Sequence, residues 1–342
     1  MKKLNIRFQD IVPFAAFLVI FVFFTIASYS ERTGVFRLLT VYNLNNLLSQ
    51  MMQTIVIACG SLFVVAQGHM DMSVGVNLAL SAVVGTWVSY TTGLPFLLIP
   101  TTMIVGLAVG LFNGFIVSKF KVPSFMLTLS MLIGVRGLVN AIQVKIGTQL
   151  LPPALSFLTV PSVRILIFIV ILIVMAYIFE FTNAGRYSRS IGENETAAKF
   201  VGIPVNRMKV VSFALSGLLT GVAAVFSVAQ NGSTTQMMGI FLEMRVVMAI
   251  FLGGVMVTGG ASAKFYKILL GSASIEIIVN GLALIGKADA HISESVQGTL
   301  LLVILALSVF ARSKPGRNRD RTDDTPSGHH SEELAEGSDG TL

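Results

Sequence analysis

Six neutral amides, Gln53, Asn77, Asn113, Asn140, Gln143 and Asn280, stand inside long apolar stretches of the chain. A polar group is costly there unless it faces a cavity or a partner within a bundle. An amide both donates and accepts, so the set suits hydrogen bonding to a small polar solute that passes without being held tightly. The plainer reading of each amide, taken singly, is a bond that joins two helices. Glu276 precedes Asn280 by one helical turn, which puts both on one face with a shared partner within reach. As an ionisable group in an apolar run, Glu276 is also the residue on which an ion-driven carrier would depend. Glu243 and Arg245 do not face each other on a regular helix; near the outer end of their stretch they are placed to meet an external protein. Arg136 is expected to pair or to snorkel. Asp71, with Ser73 two residues on, reads first as a helix N-cap.

Hydrolytic and metal chemistry find little support. Residues 281–288, GLALIGKA, nearly spell a phosphate loop, but Ala288 lacks the hydroxyl that would bind magnesium, and the preceding residues form an apolar run rather than a strand. No H-E-x-x-H or G-x-S-x-G occurs, which leaves no catalytic nucleophile or metal site to propose. Cys59 is the single cysteine, so no disulfide forms within one chain, and its place in an apolar run reads as a small buried hydrophobe. His329 and His330 sit in a polar tail and read as solvated.

The elements that must position these residues are membrane helices. Of 342 residues, 54% are apolar and 12% charged, against about 25% charged in soluble domains. With a mean hydropathy of +0.80, this excludes an ordinary cytosolic enzyme and a disordered chain. Apolar spans are expected near 11–29, 47–66, 72–92, 95–118, 124–142, 163–181, 209–230, 242–258, 265–284 and 296–312. The fold class is therefore all-α integral membrane with ten transmembrane helices, residues 1–312 forming one membrane domain. Ten crossings put both termini on one side. With the termini cytoplasmic, seventeen of the 24 basic residues fall inside and five outside, as the positive-inside rule requires. The first apolar run is longer than a secretory h-region, so cleavage is not expected. Residues 313–342 are too polar to bury anything and read as a disordered cytoplasmic tail. The net charge of +7 lies beside apolar spans, which speaks for membrane orientation and against nucleic acid.

Packing and punctuation signals refine this. Gly106, Gly110 and Gly114 form one small-residue ridge, and Gly217 with Gly221 another, which lets helix backbones approach. Pro123 sets a helix start. The longest interior loop, 182–208, contains a short punctuated helix. Asn194 is its N-cap, Glu193 and Glu195 lie at the positive end of its dipole and Lys199 at the negative end. Gly202 fits the C′ position and Pro204 forbids continuation. Ala197 and Ala198 are small enough to seat such a helix in a groove of another protein; the alternative is a helix that merely caps the bundle.

The same loop opens a run, GENETAAKFVGIPVNRMKVVSFALSGLLTGVAAV, that carries a resemblance, and three further stretches agree with it in order. Residues 64–80 match a Gly-Gly-Ile-Asp-Leu-Ser-Val-Gly run at Gly68, Asp71, Ser73 and Gly75. Residues 113–137 match Asn-Gly and Val-Pro-Ser-Phe signatures at Asn113, Gly114 and Val122 to Phe125. Glu243, Gly253, Gly254, Gly259, Gly260, Asn280, Gly281 and Leu282 follow. Over residues 40–312 the chain resembles the membrane subunits of ATP-binding-cassette importers for ribose and other monosaccharides. Its departures, His69, Arg245, Met256, Tyr266 and Lys267, leave the fold reading intact and widen the cargo to polyols, furanoses or nucleosides.

The resemblance implies a permease subunit of the bacterial inner membrane that transports and does not itself hydrolyse ATP. No cofactor is implied in this chain; ATP and magnesium belong to a partner. The implied partners are ATPase subunits or a tandem ATPase, an extracytoplasmic solute-binding protein, a second permease subunit, identical or different, and membrane lipid. Glu193, Asn194, Glu195, Ala197, Ala198, Gly202 and Pro204 are the expected ATPase contact. Gln53, Asn77, Asn113, Phe125, Asn140 and Asn280 are the expected solute path. Two rivals stay open at this point: an ion-coupled carrier using Glu276, and a scaffold that anchors partners through 182–208 without transport.

Overall fold

The computed structural model describes residues 8–31, 34–285 and the positions 295, 296, 298, 299, 302 and 306. Helix dominates because a backbone in lipid must satisfy its own N–H and C=O groups. Helix α1 (Phe8–Ala27) precedes a minimal antiparallel hairpin, β1 (Tyr29–Ser30) and β2 (Val35–Phe36). Then come α2 (Val41–Ala66), α3 (Val74–Thr92), α4 (Leu98–Phe120), α5 (Ser124–Ile146) and α6 (Pro161–Phe181). Two short helices, α7 (Asn183–Glu193) and α8 (Glu195–Phe200), lead into α9 (Val205–Asn231), α10 (Leu242–Leu252) and α11 (Phe265–Leu284). Local signals set the boundaries: Thr40 caps α2 by accepting from the Asn43 N–H, and Pro161 opens α6, where a missing N–H costs nothing. Pro123 stands one residue before α5, as its N-cap.

The centre of the bundle is α2 and α9, which α3, α4, α10 and α11 surround. Helices α4 and α9 run antiparallel along the glycine ridges expected from the sequence. A methyl added to Gly110 would lie 3.0 Å from the Gly217 Cα, and one added to Gly114 would lie 2.8 Å from the Val210 Cα. Backbones approach this closely only where no Cβ intervenes. At the same level Gly60 of α2 meets α9, 2.8 Å from an added methyl to the Ser216 Cα. Helices α5 and α6 lie at the edge, with Ile133, Val144, Leu166 and Ile173 more than 60% exposed, a face suited to lipid.

The expected ten spans meet three different outcomes. Among the described residues seven helices, α2 to α6, α9 and α11, are long and apolar enough to cross a membrane. In α1 the apolar stretch runs Pro13–Ala27, shorter than those seven. The span expected at 242–258 is corrected: α10 has 11 residues and rises only about 16 Å, against a hydrocarbon core of roughly 30 Å. It ends at Gly253 and Gly254, and the chain continues without helix to Gly259, packed against the Val65 and Ala66 carbonyls at the end of α2. Gly253 is needed here because a Cβ would strike the backbone of Lys267 on α11. The tenth span, 296–312, lies outside the described residues except for isolated helical positions, as do the tail 313–342 and the pair His329 and His330.

Candidate functional site

At one end of the bundle, α7 and α8 form a bracket. The Thr182 hydroxyl accepts from the Ala184 N–H at 3.3 Å and starts α7. Asn194 adopts an extended conformation that separates the two helices, and its Oδ1 accepts from the Ala197 N–H at 2.9 Å, as an N-cap should. The Lys199 ammonium donates to Glu195 Oε1 at 2.6 Å and Lys209 of α9 donates to Oε2 at 2.9 Å. Lys199, with Lys209 adding to it, holds the Glu195 carboxyl down at about 2. At the other end of α8, Gly202 takes φ +84°, and its N–H donates to the Lys199 carbonyl at 3.0 Å. The Ile203 N–H donates to the Ala198 carbonyl at 3.0 Å, so the pair forms a Schellman closure. Pro204 follows as the N-cap of α9.

Two expected contact residues take other roles. Ala198 is 3% exposed and packs inward on Ile191, Val205 and Met208, so it seats α8 on its own bundle and offers nothing outward. Glu193 closes α7 rather than facing the α8 dipole; its Oε1 accepts from the Ala261 N–H at 2.6 Å and ties the bracket to the 260–262 turn. Outward from α8 point Ala197, Phe200 and Val201, the last two 88% and 77% exposed. Beside them a cleft of about 740 Å³, lined by Arg186, Arg189, Glu193, Lys264 and Tyr266, separates α7 from the start of α11.

The interior holds a polar centre. After α2 the chain turns at Gln67, whose amide donates to the Ser188 hydroxyl, the Met208 carbonyl and the Ser212 hydroxyl, and so fixes α2 to α7 and α9. It then climbs back into the bundle. Asp71 Oδ1 accepts from the Ser73 N–H at 3.0 Å and the Ser73 hydroxyl at 2.6 Å; Oδ2 accepts from the Ser216 hydroxyl at 3.0 Å. The Asn113 amide donates to the Ser73 hydroxyl at 2.9 Å. Asp71 is thus not the N-cap of α3. That position is Ser73, and Asp71 joins the start of α3 to α4 and α9 at the point where α3 begins within the bundle, its positive end toward the carboxylate.

The other amides separate into distinct surroundings. Asn77 donates to the Gly106 carbonyl at 3.2 Å and accepts from Ser81. Asn280 and Asn43 exchange two bonds, 3.0 and 3.1 Å, while Glu276 Oε1 accepts from Thr54 at 2.5 Å. The shared partner expected for Glu276 and Asn280 is therefore corrected: each bonds a different residue of α2, because Asn43 and Thr54 stand about three turns apart. Asn140 and Phe125 are exposed on α5, away from the interior. Gln143 is 3% exposed, and neither of its amide atoms has a partner among the described residues.

Of the expected path residues, Gln53 faces an open cavity. This cavity, about 450 Å³, lies at the end of the bundle opposite α8 and is lined by Gln53, Ser227, Asn231, Thr235, Arg245 and the 237–240 turn. Arg136 of α5 holds that turn, its Nη1 donating to the Met238 carbonyl at 2.8 Å. The floor is α10, whose Glu243 turns to the other side against Gly75.

A family model described as branched-chain amino acid transport system / permease component matches residues 43–305. The chain belongs to this family. The ribose import permease protein of Haemophilus influenzae is 30% identical over 80% of this chain and 88% of its own length. The L-arabinose ABC transporter permease protein of Azospirillum brasilense is 29% identical over 81% and 82%. An autoinducer 2 import system permease protein of Escherichia coli is 28% identical over 90% and 89%. No solved structure matches this chain. The chain is a multi-pass membrane permease subunit of an ATP-binding-cassette importer, not an enzyme, and importers of this type work with ATPase and solute-binding partners. The ion-coupled carrier and the scaffold give way to it.

Several residues of this permease escaped sequence reasoning. Phe200 and Val201 were legible as the last residues before a helix-ending glycine, yet only the fold shows that they point outward. Asn231, Ser227 and Thr235 carry no motif; they matter because α9 ends beside the 237–240 turn. Ser61 and Ser216, 3.5 Å apart, are ordinary hydroxyls until the α2 and α9 backbones meet at Gly60. The near phosphate loop begins inside α11, whose last residues are 281–284 and where Gly281 packs on the Phe24 ring; its residues 286–288 lie outside the described residues.

Proposed function

We propose that this permease moves a monosaccharide or related small polar solute across the bacterial inner membrane, with α8 as the helix that takes force from the ATPase. In this reading the chain makes ten crossings with both termini cytoplasmic, α10 and the nonhelical 253–259 stretch together forming one broken crossing. Residues 1–312 form the membrane domain and 313–342 a polar cytoplasmic tail. A second permease subunit, a pair of ATPase domains and an external solute-binding protein complete the machine. This chain needs no cofactor, since ATP and magnesium sit on the ATPases.

The observation that carries the reading is α8 itself. A six-residue helix, capped at one end by Asn194 and closed at the other by the Gly202 turn, is fixed to α9 by the ion pair of Glu195 with Lys209. It leaves Phe200 and Val201 bare. Apolar side chains on a rigid tip are what a helix offers to a groove, and the rigid link to α9 passes movement to the glycine seam with α4. The sugar assignment draws on the ribose and L-arabinose names of the relatives and on the neutral amides of the interior.

The test is ATP-driven uptake in vesicles that contain the permease, its ATPase and its binding protein. Glu195→Lys combined with Gly202→Pro removes the ion pair and the closure, and is expected to reduce uptake by more than about tenfold, as loss of several capping and pairing contacts would. Solute capture by the binding protein stays unchanged. Undiminished uptake by the double variant overturns the assignment of α8.

A further inference from the structure

We infer that the cavity opposite α8 takes a hydroxyl-rich solute bearing one carboxylate, a sugar acid rather than a neutral sugar, and that Arg245 reads its charge. This rests on the importer reading above and narrows its cargo.

The cavity lining explains why. Gln53, Ser227, Asn231 and Thr235 offer neutral donors and acceptors from α2, α9 and the turn that follows α9. Such groups suffice for hydroxyls. Arg245 is the one cation among the lining residues, and no carboxylate lines the cavity with it. Its Nε is buried and has no hydrogen-bond partner among the described residues. Glu243, two residues before it on α10, feels the charges of both Arg136 and Arg245, but its carboxylate turns to Gly75 on the other side of the helix and does not line the cavity. A neutral solute would leave the guanidinium fork with no charged partner inside the cavity. A carboxylate supplies one, because two oxygens in one plane match the guanidinium fork. The volume of about 450 Å³ fits a solute of monosaccharide size, as small-molecule sites span roughly 300–1,000 Å³. One cation matches one negative charge; a phosphate monoester carries about −1.5 to −2 and is left half unpaired.

The location fits transport as well. The cavity floor is the broken stretch beginning at α10, so a solute held at Arg245 rests on the element that ends at Gly259 beside α2 and α7. The contact is also wet, and an ion pair open to water is weak enough to release its partner.

The experiment compares uptake of D-galactose, D-galacturonate, D-ribose, D-ribonate and ribose 5-phosphate into vesicles carrying the permease with its ATPase and binding protein. The wild type is expected to import at least one of the two carboxylates. Arg245→Gln is expected to lower that import by about tenfold, the weight of one charge-assisted fork, and Arg245→Lys to restore part of it. Asn231→Asp keeps the arginine but supplies it with a partner across the cavity, so it is expected to depress carboxylate import in the same direction; it remains decisive should Arg245→Gln fail to fold. Import of neutral sugars alone, or of the phosphate ester alone, overturns the inference and leaves the importer reading standing. So does carboxylate import that neither Arg245→Gln nor Asn231→Asp reduces. Failure to import any of the five solutes with ATP overturns both.

Discussion

Glu195 shows how a single carboxyl fixes the part of the permease that meets its motor. Its two oxygens are divided between Lys199, one turn along α8, and Lys209 on α9, so one residue both braces a helix and docks it. The carboxyl ionises at about 2 in the fold against 4.5 ordinarily. Its folded value is depressed, so the stabilisation is fully present above pH 4.5 and is lost as pH falls through the range down to about 2. Solvent reaches the side chain, which limits the effect to below about 1 kcal/mol. Hydrogen exchange of the α8 amides in the wild type and Glu195→Gln, compared at equal pH, is expected to differ at pH 6 and to converge by about pH 2. Equal protection at pH 6 counts against the pairing. This part of the site was legible in the sequence, since caps, ion pairs one turn apart and a terminal glycine are local events. Asp71 was not: its partners Ser73 and Ser216, and the Asn113 amide that donates to Ser73, come from three elements, and only the return of the chain after Gln67 brings them together. Asn280 was legible as a buried amide but not as half of a reciprocal pair with Asn43.

Among the elements, α4 and α9 form the seam across which any movement of α8 must travel. Their glycines replace side-chain interdigitation with backbone contact, which fixes the register of one helix on the other. Gly110→Leu would place a side chain where an added methyl already lies 3.0 Å from the Gly217 Cα. The expected cost is about 1–3 kcal/mol or more of overpacking, read as a lower melting temperature in detergent and as loss of coupled uptake. Gly134→Leu on α5 is the control, because nothing stands within 4 Å of a methyl there, and the melting temperature is expected to hold or rise slightly. A fall of equal size in both variants would remove the seam from the account. The ridge was readable as a spacing of small residues, and so were the seven long helices. The break in α10 was not: periodicity carries through Val255 and Val257, and the glycine pair at 253–254 acts only because α11 presses against it.

At the scale of the whole molecule the decisive quantity is which end faces the cytoplasm, since the ATPase can reach α8 from one side only. The charge distribution argues for it: Arg186, Arg189, Lys199, Arg207 and Lys209 crowd the α7 to α9 bracket, whereas the opposite end presents the Gln149 and Thr234 pairing and the cavity above Arg245. The permease offers a clean way to test this, because Cys59 is its single cysteine and is fully buried. A membrane-impermeant maleimide applied to intact cells is expected to leave the wild type unlabelled. Thr196→Cys, on the exposed side of α8, and Ser331→Cys in the tail are expected to react only after the membrane is opened. Gln149→Cys, at the opposite end, is expected to react from outside in intact cells. Labelling of Thr196→Cys from outside would reverse the orientation and take α8 out of reach of any cytoplasmic ATPase. Labelling of Ser331→Cys alone from outside would leave α8 in place and make the number of crossings after it odd, placing the error in the broken 242–259 stretch or in the segment after α11.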